Sequence, residues 1–212
     1  MIQQSSSNSF KSLSLLALGD SYTIGEGVER IDNWPHLLYE TLAETHHAIS
    51  LPKIIAKTGW TVQNLHHACK KEQLTKKYDF VSLLIGVNNQ YQGKSSAEYR
   101  IEFRALLTYA IQLSAKGAQN LWVLSIPDWS TSPFAKGQNK DKIANEIAEF
   151  NNIKKEETEK KGVLFINITE ISRRTPDNIY FAQDGLHFSR AMHQLWVDEI
   201  ILQKFTHHKL IR

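Results

Sequence analysis

The sequence predicts an α/β fold, a three-layer α/β/α sandwich around a five-stranded parallel sheet. Three observations carry that expectation. Short apolar runs recur along the chain, too continuous for strands with one wet face. Between them lie segments whose apolar positions repeat at helical spacing. Gly, Pro, Asn and Ser cluster where one pattern gives way to the other, and such strand–helix alternation builds parallel sheets.

The first run, "LSLLALG", predicts a strand over Ser14–Leu18 that stops at Gly19. "NWPHLLYETLAE", from Asn33, predicts a helix with a polar start and a proline suited to the first turn. Trp34, Leu37, Leu38 and Leu42 share one of its sides. Ala48–Ala56 predicts extended chain, and a helix begins near Thr61. "DFVSLLIG", Asp79–Gly86, has the near-continuous apolar character of a strand covered on both faces. Ala97–Lys116 is an amphipathic helix stopped by Gly117, a residue that helix C-termini favour. Leu121–Ile126 predicts the fourth strand, Pro127–Asn139 a loop, and Lys140–Lys161 a helix closed by Gly162. Val163–Ile168 predicts the fifth strand and Ser189–Lys204 the last helix. No repeat or linker intervenes, so residues 1–212 read as one domain with a flexible segment at 1–12. Right-handed crossovers leave few topologies, of which the flavodoxin-like order 2-1-3-4-5 is the simplest. Such sheets bind ligands beyond the carboxyl ends of their strands.

Composition narrows the function classes. A chain of 212 residues, 42% hydrophobic and 22% charged, is long enough to bury roughly 70% of its unfolded surface. Its formal net charge is only +3, and the densest run, "KKEETEKK" (Lys154–Lys161), alternates sign as a solvated helix face does. That argues against a nucleic-acid stripe. The single cysteine, Cys69, excludes an internal disulfide and reads as a small, partly buried apolar residue. No run approaches the roughly 20 apolar residues of a membrane span. The polar N-terminus lacks the pattern of a leader, so a cytoplasmic protein is expected, or a periplasmic or secreted one had a leader been removed.

The chemistry sits at the strand ends. "GDSYT" (Gly19–Thr23) follows the first strand, "KTGWT" (Lys57–Thr61) the second and "GVNNQ" (Gly86–Gln90) the third. "DGLHFS" (Asp184–Ser189) precedes the last helix. Taken singly, each is a turn, since Gly, Asn and Ser are turn formers. Taken together they fill one mechanism. Ser21 carries a hydroxyl that becomes a nucleophile when a base removes its proton. His187 is that base, because imidazole exchanges protons near neutrality. Asp184 can hold the other ring nitrogen and stabilise the imidazolium. The backbone N–H groups of Ser21 and Gly59 and the amide of Asn88 are candidate donors to an oxyanion, each worth about 3–4 kcal/mol.

These blocks resemble the SGNH (GDSL-type) hydrolase superfamily, whose signature is "GDS", a glycine block, "GxND" and "DxxH" in this order. The likeness runs from Gly19 to His187, and the loop "SIPDWSTSPFA" also resembles a family feature. It implies the flavodoxin-like sandwich and hydrolysis of esters or thioesters. It implies Ser21 as nucleophile, Asp184 and His187 as the rest of a triad, and Ser21, Gly59 and Asn88 as oxyanion donors. Where the family has an acid after the asparagine, this chain has Asn89, an amide that can bond the neighbouring turn but carries no charge. Asp20 is expected to organise its turn. No cofactor or metal is implied, and the expected partner is a small acyl ester: a short acyl or aryl ester, a thioester or an acetylated sugar. Neither acyl length nor alcohol, nor oligomeric state, follows from the motifs.

Rival expectations fit less. An α/β-hydrolase needs G-x-S-x-G at its nucleophile. A nucleotide-binding flavodoxin-like domain needs a phosphate-binding glycine motif that is missing, and it leaves Asn88 and Asp184–His187 unused. A catalytically inactive binding module is disfavoured by the complete triad. Of nine histidines, six form doublets (His46–His47, His66–His67, His207–His208) that diverge on a helix, so surface histidines fit better than metal ligands. Trp34, Trp122 and Trp196 are expected in the core, while Trp60 and Trp129 are expected to line the substrate pocket.

Overall fold

The computed structural model describes residues 12–45, 48–174 and 178–205. Five parallel strands form one sheet: β1 (Leu15–Gly19), β2 (Lys53–Ala56), β3 (Phe80–Leu84), β4 (Leu121–Leu124) and β5 (Leu164–Ile166). Their order is β2-β1-β3-β4-β5, as expected. The register aligns Gly19 with Ala56 on one side and with Leu84 on the other. The chain therefore leaves β1, β2 and β3 at one level, and the three loops emerge side by side.

The helices are α1 (Ser21–Ile24), α2 (Trp34–Glu44), α3 (Val62–Lys71), α4 (Val87–Tyr91), α5 (Ser96–Leu113), α6 (Lys140–Lys160), α7 (Thr169–Arg174) and α8 (Arg190–Ile200). Right-handed crossovers put α2 on one face of the sheet, where it packs with α8. The other face carries α3, α5 and α6. With both faces covered, β1, β3 and β4 are buried along their whole length, which explains their unbroken apolar runs. Trp34, Trp122 and Trp196 are fully buried, as the sequence suggests.

Four expectations are corrected. Helix α5 stops at Leu113, short of Gly117, because Ser114 turns extended to bridge Tyr78, whose carbonyl accepts from Ala115 N. Ala48–Ala56 yields only the short β2 plus a bridge between Leu13 and Ile49. The last helix passes at Ile201 into a π-helical turn that ends with Phe205 packed on Phe80 and Trp122. The run Lys154–Lys161 is not a fully solvated face, since Lys154, Glu157 and Thr158 are buried. Those positions continue the inward stripe of Ile143, Ile147 and Phe150, so geometry overrides polarity. Each buried charge is compensated. Lys154 Nζ donates to Ile85 O at 2.9 Å and lies over the Phe103 ring. Glu157 accepts from Arg104 at 2.7 Å and Arg100 at 2.8 Å. Those bonds, Arg104 first, hold its carboxyl at about 2 against the effect of burial.

Cys69 is fully buried, and burial pushes its thiol up to about 12, so it behaves as an apolar residue. Residues 1–11, including nearly all of the segment expected to be flexible, lie outside the described residues, as do the doublets His46–His47 and His207–His208. Among the described residues no helix is long and apolar enough to cross a membrane.

Candidate active site

Ser21 opens α1 directly after β1. The Asp20 side chain caps this short helix, its Oδ1 accepting from Tyr22 N at 3.1 Å. Asp20 thus organises the turn, as expected. As a first-turn residue Ser21 keeps a backbone N–H with no acceptor inside the helix. Glycine at 19 is required by contact. A Cβ there would stand 2.0 Å from Thr23 Oγ1 and 2.5 Å from Leu84 O.

Behind this turn Asp20 is buried, and burial raises its carboxyl to about 7 while lowering the Lys154 ammonium to about 7. The attraction between the two opposes both shifts. Lys154 holds the carbonyl of Ile85, immediately before the turn that carries Asn88. That turn begins at Gly86, with φ +126° and the Tyr99 hydroxyl 2.7 Å from where a Cβ would lie. Only glycine fits both the conformation and the space.

Gly59, φ +81°, stands in the loop after β2, and nothing lies within 4 Å of where its Cβ would be. A ligand can therefore approach that backbone. Asn88 spends one amide proton on Trp60 O at 3.0 Å, which leaves the other free to face the site.

Asp184 and His187 occupy a hairpin closed by the antiparallel bridge Phe181–Phe188. Asp184 Oδ1 accepts from the backbone N–H groups of Leu186 and His187, both at 2.9 Å, which folds the turn. Its Oδ2 lies 2.6 Å from His187 Nδ1. Burial works to raise the Asp184 pKa, but the His187 ring and the two backbone N–H groups outweigh it and hold the carboxyl below its ordinary value. An ionised carboxylate only accepts, so in the neutral imidazole Nδ1 carries the ring proton and Nε2 presents its lone pair. Tyr22, Phe188 and Trp196 pack together beneath the hairpin, with Tyr22 edge-on to His187 at 6.0 Å.

Ser21, Gly59, Asn88 and His187 line one cavity of about 190 Å³. Asp184 stands behind His187. The remaining wall is Tyr22, Thr58, Val87, Tyr91, Trp129 and Leu186. Larger grooves, such as one of about 540 Å³ between α5 and α6, contain none of Ser21, Gly59, Asn88, Asp184 and His187, although one of about 340 Å³ shares Tyr91 and Trp129 with the site cavity. Trp129 lines the cavity as expected, its indole N–H donating to Gln90 Oε1 at 2.9 Å. Trp60 does not line it, because only its carbonyl serves the site, as the acceptor for Asn88. Tyr91, Thr58 and Leu186 carried no sequence signal beyond adjacency to the motifs. Among the described residues no cluster of His, Cys, Asp or Glu could hold a metal ion. Of the described doublet, His67 is exposed and His66 half-buried against Tyr109. Two single histidines depart from a surface placement: His36 and His193 are buried, each with a hydrogen-bond partner.

Comparison with known proteins agrees with this architecture. Solved structures of similar fold include an acetylxylan esterase from Geobacillus stearothermophilus, with TM-score 0.70 and 18% identity, covering 90% of this chain and 93% of that one. Another is TesA, with TM-score 0.69 and 17% identity, covering 88% and 95%. A third is the psychrotrophic esterase EstA from Pseudoalteromonas sp., with TM-score 0.68 and 16% identity, covering 88% and 93%. No match is found among curated proteins. The family model described as the GDSL-like lipase/acylhydrolase family matches residues 17–195, from the middle of β1 into α8, and the chain belongs to that family.

Proposed function

We propose that this protein is a serine esterase that cleaves short acyl esters through an acyl-enzyme on Ser21. The observation that carries the proposal is the convergence of Ser21, Gly59, Asn88 and His187 on one small cavity, with the His187 ring fixed by Asp184. Ser21 Oγ attacks the ester carbonyl while His187 Nε2 takes its proton. The oxyanion accepts from the N–H groups of Ser21 and Gly59 and from Asn88 Nδ2. Collapse of the tetrahedral species expels the alcohol, which receives the proton from His187. Water, activated by the same nitrogen, then releases the acid.

The wall supports the acyl preference. At about 190 Å³ the cavity falls below the roughly 300–1,000 Å³ of pockets that hold drug-sized ligands. Trp129, Tyr91, Val87 and Leu186 make it apolar, as an acetyl or propionyl group requires. In a para-nitrophenyl ester series, kcat/KM should peak at the shortest chains and fall about tenfold or more by octanoate, each missing or surplus methylene being worth ~1–3 kcal/mol in a fitted pocket. Equal activity on long chains would remove the acyl-length claim.

The direct test of the nucleophile is a fluorophosphonate probe followed by peptide mass mapping. A single adduct on Ser21 is expected, in keeping with a neighbour of the same fold, EstA, whose structure was solved inhibited by monoethylphosphonate. A folded chain that takes no label would instead be a binding module. Asn88→Ala should lower kcat by about 10²–10³-fold with little change in KM, as loss of a transition-state donor does. An effect confined to KM would take Asn88 out of the oxyanion hole.

A further inference from the structure

Asn89, the residue that departs from the family pattern, sits at the junction of the two loops that supply the proposed oxyanion donors. Its side chain is fully buried. Oδ1 accepts from Val62 N, the first residue of α3, at 2.9 Å. Nδ2 donates to Glu102 Oε2, on α5, at 3.0 Å. The neighbouring Asn88 grips Trp60 O at 3.0 Å. Two consecutive amides of α4 therefore clamp the segment after Gly59 from both sides, one on a carbonyl and one on an N–H.

The site of Asn89 demands an acceptor on one side and a donor on the other. An amide offers both without charge, from two separate atoms that point apart. An aspartate would still accept from Val62, but its second oxygen would meet the Glu102 carboxylate. Two carboxylates at hydrogen-bond distance cannot both ionise without strong repulsion. Lys94, on the turn between α4 and α5, offsets little of this, as its Nζ is 3.9 Å from Glu102 Oε1 and closer to Glu98, at 2.7 Å.

We infer that Asn89 is a positioning residue for the oxyanion hole, and that Glu102 is the reason this chain carries an amide where the family pattern has an acid. Glu102 supplies the negative charge from α5, and Asn89 transmits it as a neutral, two-sided link. The link fixes the distance between the Gly59 N–H and the Asn88 amide. This rests on the oxyanion roles proposed above.

The test compares Asn89→Asp, Glu102→Gln and the double variant on para-nitrophenyl acetate, with active sites counted by phosphonate titration. N89D is expected to lower kcat per titrated site about 10- to 100-fold, KM staying within about twofold, because small displacements of donors act on the transition state. In N89D/E102Q the glutamine can donate to the new carboxylate, and kcat should return to within about threefold of E102Q alone. The N89D defect, relative to the unaltered enzyme at the same pH, should also shrink from about pH 8.5 to about pH 6 as the paired carboxylates take up one shared proton. A merely structural role would lower the titrated fraction or Tm and leave kcat per site unchanged. Unchanged kcat in N89D, or a double variant as impaired as N89D, overturns the inference. Should the unaltered protein neither turn over ester nor take the label, the esterase proposal is what fails.

Discussion

Ser21→Ala is expected to lower kcat for ester hydrolysis by at least about 10⁴-fold while leaving the fold in place. The magnitude follows from what one atom does. Without Oγ no acyl-enzyme forms, and what survives is the help that oxyanion donors and binding give to direct attack by water, about 10³–10⁴ over solution in enzymes of this logic. The fold should tolerate the change because Oγ caps nothing. The α1 cap is the Asp20 carboxyl, and α1 ends at Gly25 in the left-handed conformation, φ +79°. Alanine is also a better helix former than serine. An unfolding free energy within about 0.5 kcal/mol of the unaltered protein would match a substitution that breaks no such feature. His187→Ala combined with Ser21→Ala should cost little more than either alone, since residues acting as one unit are not additive. Retained turnover in Ser21→Ala, with unaltered circular dichroism, would end the assignment.

The parts legible in the sequence were those governed by local rules. The strand runs are short but unbroken apolar stretches, so their number follows from alternation, and right-handed crossovers leave the observed order as the simplest. The Asp184–His187 pair could be recognised because its geometry is made within one turn, by a carboxylate bonding the backbone two and three residues on. What stayed hidden depends on partners far along the chain. The alternating charges around Lys154 mark a solvated face by polarity alone, while its carbonyl acceptor, Ile85, is 69 positions away. Trp60 looked like a pocket wall because it follows Gly59, but its ring turns to the core and only its carbonyl serves the site. The charge missing at Asn89 arrives from Glu102 on a different helix, and no spacing rule within the motif could place it.

His193 is the extreme of this kind, and it sets the second large expectation. It is buried on α8, and its Nδ1 accepts from the backbone N–H of Trp34 at 3.1 Å, 159 positions away. Trp34 is the first residue of α2, so that N–H has no acceptor within its own helix. A protonated imidazole would lose this bond and set a positive charge at a helix N-terminus, where the dipole repels it. Burial first, and then the charge of His187, lowers the His193 pKa to about 3, against a hydrogen bond with the Phe188 backbone that raises it. In the unfolded chain a histidine titrates near about 6.5. The folded value lies below the unfolded one, so the unfolded state takes the proton first as pH falls. The stabilisation is complete above about pH 6.5 and is lost progressively toward pH 3. From pH 7 to pH 5 this one group should remove about 2 kcal/mol of unfolding free energy, a sizeable share of the roughly 5–15 kcal/mol of a typical domain. His193→Asn keeps an acceptor for Trp34 and cannot titrate, so its stability, read by urea unfolding, should fall with a shallower slope over that interval. Parallel slopes for the two proteins would assign the acid loss to other groups. Because His193 joins α2 to the segment carrying His187, acid would loosen that base's support in the unaltered enzyme, and the asparagine variant should be spared this loss.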